Sequence, residues 1–276
     1  MAITAADVNK LRQQTGAGMM DCKNALVEAN GDFEAAIDIL RKKGQKIAAK
    51  RGGNDAKEGV ILAQATADGT AGVILTLNCE TDFVAKNDGY VSLVQSLVDI
   101  ALTNLPESVE ALKALPYDSR LSVDEKITEQ IGVIGEKLDL SGYAVVRAAN
   151  VVAYNHPGNQ LATLVGLTIA GEEVAEAGRQ VAMQVAAMAP IAINKDGVDE
   201  RTIEREIEIG KELAIQEGKP ADMAEKIAMG RLNKFMKENT LLNQEFIKDG
   251  KMTVSQYMKS ADKDLTATGF IRFSLS

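Results

Sequence analysis

The sequence predicts an α+β protein with a small N-terminal helical domain, a two-part core built on antiparallel sheets, and an inserted helical hairpin. Three observations support this prediction. Apolar residues recur at helical spacing through residues 1–45. Apolar runs of strand length flank residues 68–69 and residues 156–159, two segments with the composition of tight turns. Two charged amphipathic segments are joined by Gly-Lys-Pro at residues 218–220.

Residues 1–45 predict three short helices. Thr4 and Asp32 are suitable N-caps for the first and third helices, because their side-chain oxygens can accept hydrogen bonds from free backbone N–H groups. The glycine-rich segment 15–18 allows a sharp reversal after the first helix, and the third is predicted to end before Gly44. Since such a small bundle has little core, we expect one of its faces to remain available for binding.

Residues 46–58 are predicted to form a basic linker. The stretch from Arg41 to Arg51 contains basic residues and no acid. Basic residues are favourable at the end of a helix, and the Gly-Gly-Asn-Asp sequence that follows is typical of a loop. We prefer this interpretation to an RNA contact, because the net charge is −8 and binding to nucleic acid requires a basic surface.

The first part of the core is predicted to cover residues 59–140. Its two strands are joined by Asp68-Gly69, a dipeptide suited to a hairpin turn. Helices are predicted over about residues 89–103 and 122–138, the first from its stripe of apolar residues at helical spacing.

The second part is predicted to combine residues 141–198 with residues 239–276. Strands are predicted from Tyr143 to Tyr154 and from Leu161 to Ile169, and a helix from about Glu172 to Met188. A hairpin followed by a helix thus occurs twice, which predicts two similar α+β subdomains with little sequence in common.

Residues 199–238 are predicted to form an antiparallel helical hairpin inserted in the second part. Its helices cover about residues 199–217 and 220–238, and so short a joint makes them neighbours. The chain is then predicted to close with a short helix near residues 254–259 and an apolar strand at residues 269–273.

Residue types that catalytic and metal sites require are scarce in this sequence. His156 is the single histidine, and Cys22 and Cys79 lie far apart without metal-type spacing. Gly16 and Gly18 lack the third glycine of a dinucleotide loop, and the sequence contains no phosphate loop of the GTPase type. We therefore predict no enzyme, no cofactor and no metal. Sparse cysteines and the lack of a leader or an apolar spanning run predict a cytoplasmic protein without a membrane partner.

Two segments closely resemble the signatures of a known family. Residues 11–26 are similar to the N-terminal signature of bacterial translation elongation factor Ts proteins, and residues 78–87 to the second signature. Weaker similarities follow in order: Ile134-Gly135-Glu136-Lys137, Tyr154-Asn155-His156, Glu217-Gly218-Lys219-Pro220, Gly230–Phe235 and Gly269–Phe273. The resemblance covers nearly the whole chain. It implies a ubiquitin-associated-like (UBA-like) N-terminal domain, a two-part α+β core and a coiled-coil hairpin.

The resemblance also implies a function. Members of the family are guanine nucleotide exchange factors for elongation factor Tu, which they bind in its GDP-bound and nucleotide-free forms. The matching loop here consists of Thr81, Asp82, Phe83 and Val84. In the family this loop wedges into the GTPase domain and disturbs the magnesium and phosphate contacts. The resemblance therefore implies that Phe83 is the apolar wedge and that Asp82 acts on the magnesium side. The other positions that match partner contacts of the family are Arg12, Met19, Met20, Ile134, Gly135 and His156.

Taken without the resemblance, the same residues leave alternatives open. Phe83 could pack on its own core at a helix start, and His156 could be a turn residue held by hydrogen bonds. Met19 and Met20 could be core residues, although adjacent positions on a helix predict that one of them is exposed. A UBA-like adaptor, or an enzyme that uses carboxylates between the subdomains, are the alternative functions.

Two further expectations concern partner interactions. Whether the helical hairpin pairs with a second copy of the chain is left open by the sequence. Many family members continue past the final strand into a C-terminal helix that contacts elongation factor Tu, and we expect that contact to be absent here.

Overall fold

The computed structural model describes residues 3–275, with the backbone only at residues 221–222. Two three-stranded antiparallel sheets and a two-stranded ribbon are combined with helices that lie before, between and after them. This arrangement confirms the predicted α+β class.

The N-terminal bundle packs three helices around a small apolar core that includes Leu11, Cys22 and Leu26. Thr4 caps the first helix by accepting a hydrogen bond from the backbone of Asp7, and Asp32 caps the third in the same way. Both predicted caps are therefore confirmed. The helices are α1 (Ala5–Thr15), α2 (Met19–Glu28) and α3 (Phe33–Arg51).

Helix α3 does not end before Gly44, and the predicted linker is wrong over residues 46–51, which are helical. Gly44 lies where α3 crosses α7 (Val123–Ile134). A Cβ atom added to Gly132 of α7 would lie 2.6 Å from the Cα atom of Gly44, closer than real Cβ atoms approach. Gly44 thus permits close backbone packing between α3 and α7, and it does not end α3.

The first sheet has the order β1-β2-β3, with antiparallel neighbours. Strand β2 lies in the centre and is buried along its whole length. Helices cover one face of the sheet around Leu75, Leu77, Val94 and Leu97. The elements are β1 (Glu58–Ala65), β2 (Ala71–Cys79), α4 (Asp82–Ala85), α5 (Asp88–Asn104), α6 (Val109–Ala114), α7 and β3 (Asp139–Arg147).

Two sequence predictions about this part are wrong. The helix predicted over residues 122–138 ends at Ile134, because Gly135 adopts a left-handed conformation (φ 81°) that terminates it. The strand predicted from Tyr143 to Tyr154 is two strands, β3 and β4 (Asn150–Asn155), which belong to different sheets. Central strand β2 requires a hydrogen-bonded partner on each edge, and β3 supplies the second. We therefore propose that the division between the subdomains follows Arg147.

The second sheet has the order β4-β5-β8 and packs face to face against the first. Ile61 and Ile74 from the first sheet meet Val151 and Leu164 from the second in a shared core. Helices α8 and α11 cover the opposite face. The elements are β4, β5 (Leu161–Leu167), α8 (Ala175–Met188), β6 (Glu245–Phe246), β7 (Asp249–Thr253), α11 (Val254–Ala261) and β8 (Ala267–Ser274).

Helices α9 (Glu200–Gln216) and α10 (Ala221–Asn239) form a hairpin. Gly210 of α9 allows close contact, since a Cβ atom at this position would lie 3.0 Å from the Cα atom of Ala228. Ile203 and Ile207 pack against α10 near the base of the hairpin. No helix within residues 3–275 is long and apolar enough to cross a membrane.

Candidate partner-binding surface

Strand β2 leads directly into a short exposed turn, which we call the Phe83 turn (residues 81–85). The sequence predicted a loop here, but residues 82–85 form one turn of helix, α4, with Thr81 as its N-cap. The side chain of Phe83 points away from the core and is 84% exposed. The alternative that Phe83 packs on its own core is therefore wrong.

Buried groups hold the base of the Phe83 turn. Val84 packs against the core of the first sheet. The Cys79 thiol donates a hydrogen bond to the carbonyl oxygen of Thr81 at 3.2 Å, and burial raises the pKa of this thiol to about 11. The Tyr90 hydroxyl donates to the carbonyl oxygen of Leu77 at 2.7 Å, which fixes the end of β2. The exposed phenyl ring thus stands on a rigid base.

Asp82 adds a fixed negative charge beside the ring. Its carboxylate accepts a hydrogen bond from the Lys86 ammonium group at 2.6 Å. This hydrogen bond, more than any other interaction, holds the pKa of Asp82 below its usual value. Asp82 therefore remains ionised at neutral pH while part of its side chain stays open to solvent.

The carboxylate of Glu136 ties the Phe83 turn to the end of α7. One oxygen, Oε2, accepts hydrogen bonds from the backbone N–H groups of Glu80 (3.1 Å) and Thr81 (3.0 Å). The other, Oε1, accepts the Thr81 hydroxyl at 2.7 Å. Ile134 and Gly135 immediately precede Glu136, so the structure brings these two predicted contact positions to the Phe83 turn.

Glu80, at the end of β2, makes the reverse connection to the segment that follows α7. Its carboxylate accepts hydrogen bonds from the backbone N–H of Lys137 (2.6 Å), from Arg51 (2.9 Å) and from Asn54 (2.9 Å). The Lys137 bond is the largest of the causes that lower the pKa of Glu80. Neither Glu80 nor Glu136 was predicted from the sequence as a functional residue. The available signal was their place in segments that resemble the family, residues 78–87 for Glu80 and residues 134–137 for Glu136.

The N-terminal bundle contributes a second apolar area. Met19 and Met20 are 56% and 63% exposed, so both are accessible, where the sequence predicted exposure for one. They border a groove of about 490 Å³ between the start of α1 and α2. Arg12 is also exposed, on α1. A Cβ atom on Gly16 would lie 3.9 Å from Val133, so the α1–α2 turn sits beside the end of α7.

Comparison with known proteins identifies the family. A model of the elongation factor TS family matches residues 80–276. Elongation factor Ts of Amoebophilus asiaticus is 55% identical over 273 residues, which cover 99% of this chain and 98% of the relative. The corresponding protein of Christiangramia forsetii is 52% identical with the same coverage, and that of Cytophaga hutchinsonii is 50% identical over 275 residues, 99% of both chains.

The chain belongs to the elongation factor Ts family. It is therefore a translation elongation factor, as the resemblance in residues 11–26 and 78–87 implied.

His156 of this elongation factor Ts chain lies on the second sheet and not beside the Phe83 turn. It lies in the turn between β4 and β5, where its Nδ1 atom is 2.9 Å from the Tyr154 hydroxyl. The neighbouring Asn155 side chain hydrogen-bonds the backbone of Ala63 in both directions, which attaches this turn to β1. The hydrogen bond of the His156 ring thus joins it to the second sheet, whereas those of Glu136 join Thr81 to the end of α7.

The exposed groups of this family member include apolar side chains of the kind that contact other proteins. Among the side chains that the structure describes, no group of three or more His, Cys, Asp or Glu residues is placed to hold a metal ion. Cys22 and Cys79 are both buried. What the surface offers is an exposed ring on a fixed base, an ionised carboxylate beside it, and two accessible methionines.

Proposed function

We propose that this protein is a guanine nucleotide exchange factor for elongation factor Tu in the cytoplasm, and that it acts by inserting the Phe83 turn into the GTPase domain. Membership of the elongation factor Ts family supports the partner and the activity. The observation that carries the mechanism is the exposure of Phe83 on a helical turn whose base is buried and hydrogen-bonded.

An exposed phenyl ring is a source of binding free energy. Burying a Phe side chain that was exposed to water is worth about 1.5–3 kcal/mol. Aromatic side chains that enter well-packed pockets commonly dominate the energetics of an interface. Because the turn is already fixed, little additional ordering is required when a partner pocket encloses the ring.

Binding linkage converts this free energy into exchange. A factor that binds nucleotide-free elongation factor Tu more tightly than the GDP-bound form must weaken GDP binding by the same ratio. GDP is held through phosphate and magnesium contacts that are sensitive to small displacements. Phe83 supplies the displacement, and Asp82 is its polar neighbour on the magnesium side of the site.

The remaining predicted positions extend the contact. Ile134 and Gly135 lie beside the Phe83 turn and form part of the same surface. Arg12, Met19 and Met20 provide a separate anchor on the N-terminal bundle. His156, on the second sheet, is an outlying contact in this proposal.

The decisive experiment follows the release of a fluorescent GDP analogue from purified elongation factor Tu. Catalytic amounts of this protein should accelerate release many-fold. If the folded protein leaves release unchanged, the exchange function is wrong. The groove beside Met19 and Met20 then favours the UBA-like adaptor, which should bind helices of another protein independently of Phe83. Turnover of a small substrate by the purified chain alone would favour the enzyme alternative.

Self-association is a separate part of the proposal. The helical hairpin exposes Ile209, Leu213 and Met229, and a second copy of the chain could cover them. Sedimentation equilibrium of the full chain tests this, with a hairpin variant that replaces all three by Gln. A monomer at all concentrations would exclude self-association without affecting the exchange proposal.

A further inference from the structure

Phe83 must be held in place by contacts outside α4. The helix has four residues, and an isolated helix of this length is unstable because nucleation costs more than its few hydrogen bonds return. The cap bond from the Val84 N–H to the Thr81 hydroxyl oxygen is long, at 3.4 Å. The ring itself lies in solvent. The orientation of the turn therefore depends on the packing of Val84 against the core and on what holds Thr81.

Glu136 is the residue that holds Thr81 from both sides. It accepts the Thr81 backbone N–H and the Thr81 hydroxyl, one on each carboxylate oxygen. These are charge-assisted hydrogen bonds, which are stronger than bonds between neutral groups. Glu136 also accepts the N–H of Glu80, so three donors next to Phe83 converge on one carboxylate.

The reciprocal bonds of Glu80 prevent the two segments from moving apart. Glu80 accepts the backbone N–H of Lys137, while Glu136 accepts from residues 80 and 81. Each segment thus binds the other through a carboxylate and a backbone N–H. Arg51 bonds the same Glu80 carboxylate from the end of α3, the helix that begins in the N-terminal bundle. The crossed carboxylates connect the Phe83 turn, the end of α7 and α3.

We propose that Glu136 is a positioning residue for exchange, which holds Phe83 in register with Ile134 and Gly135 so that elongation factor Tu meets one preformed surface. This inference rests on the proposed function. Preorganisation of this kind increases binding because less conformational freedom is lost in the complex. Glu136 acts through the position of Phe83, and it requires no contact of its own with the partner.

The test is a double-mutant cycle on the rate of GDP-analogue release. Glu136→Ala removes all three hydrogen bonds and should slow exchange by at least about tenfold, since each hydrogen bond to a charged group contributes about that factor or more. Glu136→Gln should restore most of the rate, because its amide oxygen still accepts the two backbone N–H groups and its NH₂ group can donate to the Thr81 hydroxyl. In a Phe83→Ala background, Glu136→Ala should cause no further loss.

Matched variants separate positioning from general stability. Glu125→Ala removes a similar bond to the backbone N–H of Ser122 at the opposite end of α7, and it should leave exchange unchanged. Thr81→Val removes the hydroxyl bond to Glu136 and the long cap bond from the Val84 N–H. It leaves the two backbone N–H bonds of Glu136 in place, so it provides a milder test if Glu136→Ala does not fold. Its loss of rate should also disappear in the Phe83→Ala background.

The possible failures are distinguishable. An equal fold-loss from Glu136→Ala with and without Phe83 would overturn the positioning role, and so would wild-type exchange by Glu136→Ala. Wild-type exchange by the Phe83→Ala protein would instead overturn the proposed wedge, and the inference with it. The wedge role of Phe83 and the positioning role of Glu136 are both supported if Glu136→Ala loses exchange only when Phe83 is present and Glu136→Gln does not lose it.

Discussion

Removal of the Phe83 ring is the perturbation that tests the mechanism most directly. Because 84% of the side chain is exposed, Phe83→Ala removes few contacts within the protein. Exposed substitutions of this kind change the free energy of unfolding by about 0.5 kcal/mol or less. Ala also has a higher helix propensity than Phe, so α4 should not be weakened. The variant should therefore fold normally.

The expected loss of exchange activity follows from the exposure of the Phe83 side chain. Nearly all of the roughly 1.5–3 kcal/mol available from burying a Phe side chain is still to be gained when a partner encloses the ring. If that gain is realised only in the complex from which GDP leaves, the exchange rate should fall about 10- to 150-fold in Phe83→Ala. Phe83→Leu retains much of the apolar surface and should have an intermediate rate.

The assay is stopped-flow release of a fluorescent GDP analogue from elongation factor Tu, with the melting temperature of each variant measured in parallel. Ile247→Ala is a suitable control, because Ile247 is also an exposed apolar residue but lies between β6 and β7, away from the Phe83 turn. Normal exchange by a folded Phe83→Ala protein would refute the reasoning, and so would an equal loss in the Ile247→Ala control.

Three further predictions concern other parts of the molecule. Gly132→Ala should lower stability by about 1–3 kcal/mol, seen as a lower melting temperature, because its Cβ atom would lie 2.6 Å from the backbone of α3. Met19→Ala and Met20→Ala should weaken binding to elongation factor Tu in calorimetry without lowering the melting temperature, since both side chains are exposed. The raised pKa of Cys79 means that the unfolded chain loses the thiol proton first. The free energy of unfolding, measured with urea, should therefore fall as the pH rises from 9.0 to about 11.

Each of these predictions has a control within the chain. Gly230→Ala should not destabilise the protein, because no atom beyond its own stretch of helix would lie within 4 Å of its added Cβ atom. Val27→Ala removes an exposed apolar side chain of the bundle that does not line the groove, and an equal loss of binding in this variant would contradict a specific role for the methionines. In Cys79→Ala the free energy of unfolding should fall less as the pH rises. An unchanged pH dependence would mean that groups other than Cys79 cause the fall.

Features that depend on neighbours along the chain were predicted well. The caps Thr4 and Asp32 each bond a backbone N–H three residues ahead, so residue type and local order are enough to identify them. The tight turn at Gly69 and the apolar stripe of α5 are local in the same sense. The family resemblance likewise depends on two continuous segments. The resemblance identified Phe83 as an exposed contact residue, whereas the local sequence without it favoured a buried position.

Features that depend on distant contacts were not predicted. Gly44 has the sequence pattern of a helix stop, and only the crossing with Gly132, 88 positions further along the chain, makes it an interior helical residue. The apolar run from Tyr143 onward fits one strand as well as two. The need of β2 for a second hydrogen-bonded neighbour divides that run between two sheets.

The sequence by itself determined the α+β class, most helices, the family and the identity of the exposed motif. Only the tertiary structure decided how that motif is held. Glu80 and Glu136 are 56 residues apart in the sequence, where each has the pattern of an ordinary solvated acid. Folding brings them together, because packing β3 beside β2 returns the end of α7 to the end of β2. Carboxylate and N–H groups attract only over short distances, so their partners are fixed by the three-dimensional fold and not by spacing along the chain.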